Sequence, residues 1–197
     1  MEYRIEEIGA NRIREYASIP IAFEVESIFV VNEANKGLGR LKLSEKEVAE
    51  PYTKDYDSYD GGPQRWLKRF DVSNWGFFVV FDGDQPVAAA TVAYDTEDVH
   101  MLEGRGDLAV LWDIRVHPDY TRQGIGSMLF NHAADWARSK GCSQLKIETQ
   151  NVNVPACRFY FNQGCHLGQI HRYAYRAPWA NPEVADEVML VWYLDLV

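Results

Sequence analysis

The order of elements along the chain predicts a mixed α/β (α+β) domain, built on a central, mostly antiparallel sheet with helices on both faces. Three observations carry this reading. Segments alternate as strand, helices, three strands, helix, strand, helix and two strands, an order that does not suit a regular doubly wound sheet. The strand-like runs are short and apolar, and they are bounded by turn residues. The chain has 197 residues, 47% of them hydrophobic and 25% charged, which suffices for a single domain spanning residues 1–197 with a sizeable core.

Taken in order, YRIEEI (3–8) alternates loosely and reads as a first strand, and ANRIREYASI (10–19) reads as a short helix. FEVESIFVV (23–31) is read as a second helical stretch. Residues 32–62 give no clear period, and YTKDYDSYDGGP within them reads as a loop. PQRWLKRF opens a helix with Pro63 in its first turn. WGFFVVFD and PVAAATVAYD are apolar runs joined by a hairpin turn at Asp82–Gln85, and DLAVLWDIRV is a further strand. Apolar residues at Ile125, Met128, Leu129, Ala133, Trp136 and Ala137 have helical spacing, and Gly141 stops that helix. SQLKIETQ is a strand. A helix follows from about Val154, with Asn153 as N-cap and Gly164 as terminator. CHLGQIHRYAYRA (165–177) and DEVMLVWYLDL (186–196) complete the sheet.

The net charge of −9 argues against a nucleic-acid partner and suits a cationic small molecule. No apolar run approaches the ~20 residues of a membrane helix, and the N-terminus lacks the apolar core of a signal peptide, so a cytoplasmic location is expected. Cys142, Cys157 and Cys165 form no C-x-x-C pair and read as reduced thiols; the histidines show no zinc-ligand spacing, so no metal is expected. A homodimer is compatible with this composition.

HPDYTRQGIGSML (117–129) places two glycines, Gly124 and Gly126, directly where a helix begins. A helix N-terminus offers unpaired N–H groups, and glycine lets an anion approach the backbone. A strand-to-helix turn with glycines at special φ angles would look the same. The stretch is no P-loop, since Ser127-Met128 stands where Lys-Ser/Thr belongs, and no dinucleotide fingerprint, since Leu129 stands at the third glycine.

LWDIRVHPDYTRQGIGSMLF resembles the acetyl-coenzyme A signature of the GNAT superfamily of N-acetyltransferases. In the second segment, NVNVPACRFYFNQGC, residues Asn153, Ala156, Tyr160 and Gly164 stand at positions of the same family's pattern. Thr121 and Cys165 depart from it. YTKDYD, ETQNVNVPACRFY and DEVMLVWYLDL look like the streptothricin acetyltransferase branch, whose members acetylate an amine of the antibiotic's β-lysine moiety. The resemblance spans about residues 75–195. It implies a sheet splayed between the fourth and fifth of the strands named above, with acetyl-coenzyme A as co-substrate. Backbone N–H groups of Ile114, Arg115 and Val116 would hold the acetyl carbonyl and pantetheine. Gln123, Gly124, Ile125, Gly126 and Ser127 would hold the pyrophosphate, with Arg122 adding charge. Asn153, with Ala156 in the same motif, would contact the pantetheine arm.

Acetyl transfer to an amine needs a positioned thioester, a base for the ammonium and an acid for the thiolate. Tyr160 is the candidate acid, since a phenol of pKa ~10 is protonated at neutral pH; a packed tyrosine is the plainer alternative. Asp113 and Glu148 are the candidate bases. Asp113 could equally be a sheet acid paired with Arg115 or Lys146. Tyr52, Asp55, Tyr56 and Asp57 mix aromatic faces with carboxylates and suit a cationic amine. The reading is an acetyl-coenzyme A-dependent N-acetyltransferase acting on a primary amine of a small cationic compound, such as streptothricin. A peptide or protein acceptor, or an acyl-coenzyme A sensor without turnover, are the alternatives.

Overall fold

A computed structural model describes residues 3–176 and 181–197. The strands are β1 (Tyr3–Glu7), β2 (Phe23–Ala34), β3 (Arg40–Lys54), β4 (Gly76–Asp82), β5 (Gln85–Ala93), β6 (Leu108–Val116), β7 (Gln144–Gln150), β8 (His166–His171) and β9 (Met189–Asp195). The helices are α1 (Ile13–Ala17), α2 (Tyr56–Asp60), α3 (Pro63–Arg69), α4 (Ile125–Ser139) and α5 (Val154–Asn162). Seven strands form one sheet in the order β1-β4-β5-β6-β7-β9-β8, and β2 with β3 forms a separate two-stranded sheet. Of the expected strand over 165–177, β8 is the paired part, and Ala177 lies outside the described residues.

The chain divides into two compact units. The first comprises residues 1–22, 55–147 and 193–197. β4 pairs antiparallel with β1 and β5, and β5 with β6. β4 is apolar at almost every position because both of its faces are covered. Phe77, Val79 and Phe81 join Ile13, Tyr16 and Trp66 in one cluster, while Phe78 meets His132 and Trp136 of α4 edge-on. Helices therefore lie on both faces, as expected. A Cβ on Gly76 would come within 2.9 Å of Trp136, so the bare backbone there admits the indole. α4 buries Ile125, Leu129, Phe130, Ala133 and Ala137, and the chain turns at Gly141 with φ +82°. β6 and β7 run parallel, and their ladder covers only Leu108–Leu111 against Gln144–Ile147.

The second unit comprises residues 23–54 and 148–192. Here the sequence reading needs correction. FEVESIFVV is not helical but begins β2, whose partner β3 fills much of the stretch left without a period. A register shift between Val25 and Ser27 breaks the period-2 alternation that would have revealed the strand. β3 is charged and mostly exposed, so it lacks an apolar period altogether. The hairpin turns through Asn35, Lys36 and Gly37, all left-handed, at φ 52°, 54° and 94°. Asn151 is 6% exposed and binds this hairpin through Nδ2–H to the Phe29 carbonyl at 2.9 Å; its Oδ1 accepts from Val188 N–H at 2.8 Å. Lys54 and Glu187 form a buried ion pair.

The loop expected at 52–63 is also corrected. Tyr52–Lys54 end β3, and Asp55 caps α2 by accepting from Asp57 N–H at 3.0 Å. α3 starts at Pro63 as expected. The three cysteines are free and buried, and burial pushes the Cys157 and Cys165 thiols up to about 12. Among the described residues, no helix is long and apolar enough to cross a membrane, and no His/Cys/Asp/Glu cluster could hold a metal.

Candidate active site

The turn before α4 belongs to the first unit. β6 ends at Val116, a 3-10 turn spans Pro118–Tyr120, and Arg122 and Gly124 adopt left-handed conformations at φ 59° and 84°. Gly124 is the N-cap, and no side chain caps the helix. The Gly124 carbonyl accepts from Met128 N–H at 3.0 Å, so α4 is formed from its first turn. The amides of Ile125, Gly126 and Ser127 lie before that first intrahelical bond. A Cβ on Gly124 would meet nothing within 4 Å. Backbone donors, a dipole end and open space thus coincide, which is what a phosphate needs. The Gln123 side chain is tied on both sides: Oε1 accepts from Tyr3 Oη–H at 2.7 Å, and Nε2–H donates to the Asp119 carbonyl at 3.2 Å. Gln123 therefore offers its backbone rather than its amide group.

Ile114, Arg115 and Val116 pair with Ala90, Ala89 and Ala88 of β5, and their β6 register with β7 has already ended at Leu111. The Arg115 side chain is fully buried. Its Nε–H and Nη2–H grip Asp113 at 2.9 and 2.8 Å, its Nη1–H and Nη2–H grip Asp57 at 2.8 and 3.0 Å, and Nη1–H also donates to the Ile19 carbonyl. Tyr16 Oη–H donates to Asp113 at 2.6 Å. Burial opposes the Arg115 charge, but Asp113 and Asp57 outweigh it and hold the guanidinium above its usual range. Asp113 is thus an ion-pair partner of Arg115, one of the two partners the sequence offered. The other, Lys146, pairs with Glu103 at 2.6 Å. Asp57, expected near the acceptor, is the second arm of this cluster, and Asp55 is spent on the cap of α2. Tyr56 opens α2, half-buried.

The remaining expected residues lie in the second unit. Tyr52 on β3 is 44% exposed. Asn153 caps α5, its Oδ1 accepting from Ala156 N–H at 3.1 Å, so the two residues of this motif are bonded to each other. Tyr160 is 6% exposed on the buried face of α5, its ring edge-on to Phe159. Glu148 is half-buried on β7 and accepts from Tyr175 Oη–H at 2.7 Å, while Gln150 Nε2–H donates to the same Tyr175 oxygen at 2.7 Å. Tyr175 was missed in the sequence because it sits in a 3-10 turn, Ala174–Arg176, where a strand was expected.

The profile of the acetyltransferase (GNAT) family matches residues 25–165. The chain is 30% identical over 171 residues to a streptothricin acetyltransferase of Escherichia coli, covering 87% of this chain and 84% of that protein. It is 46% identical over 144 residues to a streptothricin acetyltransferase of Streptomyces lavendulae, covering 73% and 70%. A crystal structure of a Bacillus anthracis str. Ames protein in complex with acetyl coenzyme A superposes with a TM-score of 0.74 at 24% identity, covering 99% of this chain and 98% of that one.

Proposed function

This chain is an N-acetyltransferase of the acetyltransferase (GNAT) family, and from that premise we propose that it acetylates a primary amine of a small cationic antibiotic of the streptothricin class, with acetyl-coenzyme A as donor. The observation that carries the donor is the start of α4: an uncapped helix N-terminus entered through left-handed Gly124, with nothing near the space a side chain would fill. The relatives at 30% and 46% identity, both streptothricin acetyltransferases, support the acceptor. So does the net charge of −9, which favours approach of a cation.

Acetyl-coenzyme A, when bound, supplies an acetyl group activated as a thioester. The amides of Ile125, Gly126 and Ser127 bind its pyrophosphate, and the left-handed turn at Arg122–Gly124 brings the backbone to it. The Ile114–Val116 backbone orients the acyl arm. Tyr160 holds a proton at Oη for the departing sulfur, as an ordinary phenol does at neutral pH. Glu148 holds the acceptor's ammonium and takes its proton directly or through water. Asp113 takes no proton in this scheme, because Arg115 and Tyr16 occupy its oxygens.

The test is coenzyme A release from acetyl-coenzyme A with streptothricin, with peptides bearing a free N-terminus, and with no acceptor. Release with streptothricin alone is expected. Release with peptides alone would overturn the acceptor. Binding of acetyl-coenzyme A without release for any acceptor would make the chain a sensor.

A further inference from the structure

We infer that Tyr175, itself held by Gln150, is a positioning residue that presents Glu148 to the acceptor amine. The inference rests on the reading of Glu148 given above.

The direction of the hydrogen bonds follows from the groups. An ionised carboxylate only accepts, so at 2.7 Å the Tyr175 hydroxyl must give its one proton to Glu148 Oε1. The Tyr175 oxygen can then only accept from Gln150, which turns its NH₂ toward it at 2.7 Å. The chain Gln150 to Tyr175 to Glu148 is therefore polar in one sense, and each bond strengthens the next. Glu148 and Gln150 stand two apart on β7, so their side chains leave the same face, and Tyr175 reaches both. The turn carrying Tyr175 is anchored on either side. Arg172 pairs with Glu33 at 2.6 Å, and Arg176 with Asp186 at 3.2 Å.

Two consequences follow for Glu148. Its rotamer is fixed before the acceptor arrives, so less side-chain freedom is lost on binding. The Tyr175 donor is uncharged, so it adds no cation of its own to compete with an ammonium. Tyr175 thus acts on the acceptor through Glu148 and leaves the donor site alone.

The experiment uses the full chain with streptothricin as acceptor. Tyr175→Phe keeps the ring and removes the donor. We expect kcat/KM for streptothricin to fall about tenfold, the usual size for a lost hydrogen bond to a charged group. KM for acetyl-coenzyme A and the melting temperature should stay unchanged. Gln150→Leu should move streptothricin kinetics the same way by less. In the Glu148→Gln background, Tyr175→Phe should add nothing, because the pair acts as one. If Glu148→Gln lowers efficiency but Tyr175→Phe does not, the positioning role is overturned and the reading of Glu148 stands. If Tyr175→Phe keeps its full effect in the Glu148→Gln background, Tyr175 meets the acceptor itself and the inference is equally overturned. If Glu148→Gln alone changes nothing, the reading of Glu148 falls, and the inference with it.

Discussion

Asp113 and Glu148 are both strand carboxylates, and each accepts a hydrogen bond from a tyrosine hydroxyl; beyond that they differ. Asp113 has a side chain only 7% exposed, and both of its oxygens are chelated by a buried guanidinium. Glu148 is half-buried and is ordered by an uncharged phenol that is itself ordered by an uncharged amide. A guanidinium neutralises the carboxylate it orders, whereas a phenol orders it and leaves its charge in place. The first arrangement ties β6, α2 and the segment after α1 into one unit. The second gives the carboxylate a neutral donor, in keeping with the role proposed for it. Two residues that look alike in sequence are thus separated by the kind of donor that holds them.

The largest effect that would break this contrast is on stability. Arg115→Met leaves Asp113 and Asp57 without their shared cation and should cost ~3–5 kcal/mol, the usual penalty for stranding a buried charge, read as a shift of the urea midpoint. A cost below ~1 kcal/mol would mean that the cluster behaves as a surface ion pair, and Asp113 would return as a proton acceptor. Tyr16→Phe comes next, at ~1–2 kcal/mol for a lost charge-assisted bond. Burial, and then the Asp113 charge, hold the Tyr16 hydroxyl well above the usual phenol value of 10.0. The stabilisation this represents is therefore complete below pH 10 and is lost as pH rises through the folded value. The melting temperature of the parent should fall above about pH 10 more steeply than that of the Tyr16→Phe variant; equal slopes would remove Tyr16 from the account. Asp57→Asn should be smallest, under ~1 kcal/mol, because solvent reaches that arm of the cluster, whose side chain is 30% exposed. A loss matching Arg115→Met in thermal melts would show Asp57 to be the main partner.

The parts of the fold that sequence disclosed are those where burial dictates composition. β4, β5 and β6 are apolar because both faces are covered, and α4 and α5 announce themselves through apolar spacing, the Asn153 cap and the turns at Gly141 and Gly164. The β2–β3 hairpin stayed hidden for the opposite reason. In β2 a register shift breaks the alternation, and β3 is charged and mostly exposed, so neither strand shows an apolar period; the contacts that hold the hairpin, such as those from Asn151, Glu187 and Arg172, come from far along the chain. At the candidate site, the strand-to-helix turn was legible because its left-handed backbone favours the glycine found at 124. The pairing of Asp113 with Arg115 was legible as an i, i+2 pair on one strand face. The second arm from Asp57 was not, because a bond across 58 residues leaves no local signal. Tyr175 was hidden in the same way, 27 residues from its carboxylate.

The three buried cysteines bear on how the reaction is watched. Turnover liberates the thiol of coenzyme A, which chromogenic disulfides detect only as the thiolate. A sulfur titrating near 12 is ionised to about one part in 10⁴ at pH 8, and the protein's own Cys157 and Cys165 fall in that range, while burial also raises Cys142. All three sulfurs are also buried away from such a reagent in the folded chain, so colour reports product. Only an opened chain would expose three competing sulfurs, so a prompt stoichiometric burst marks damaged protein in the same cuvette that measures catalysis.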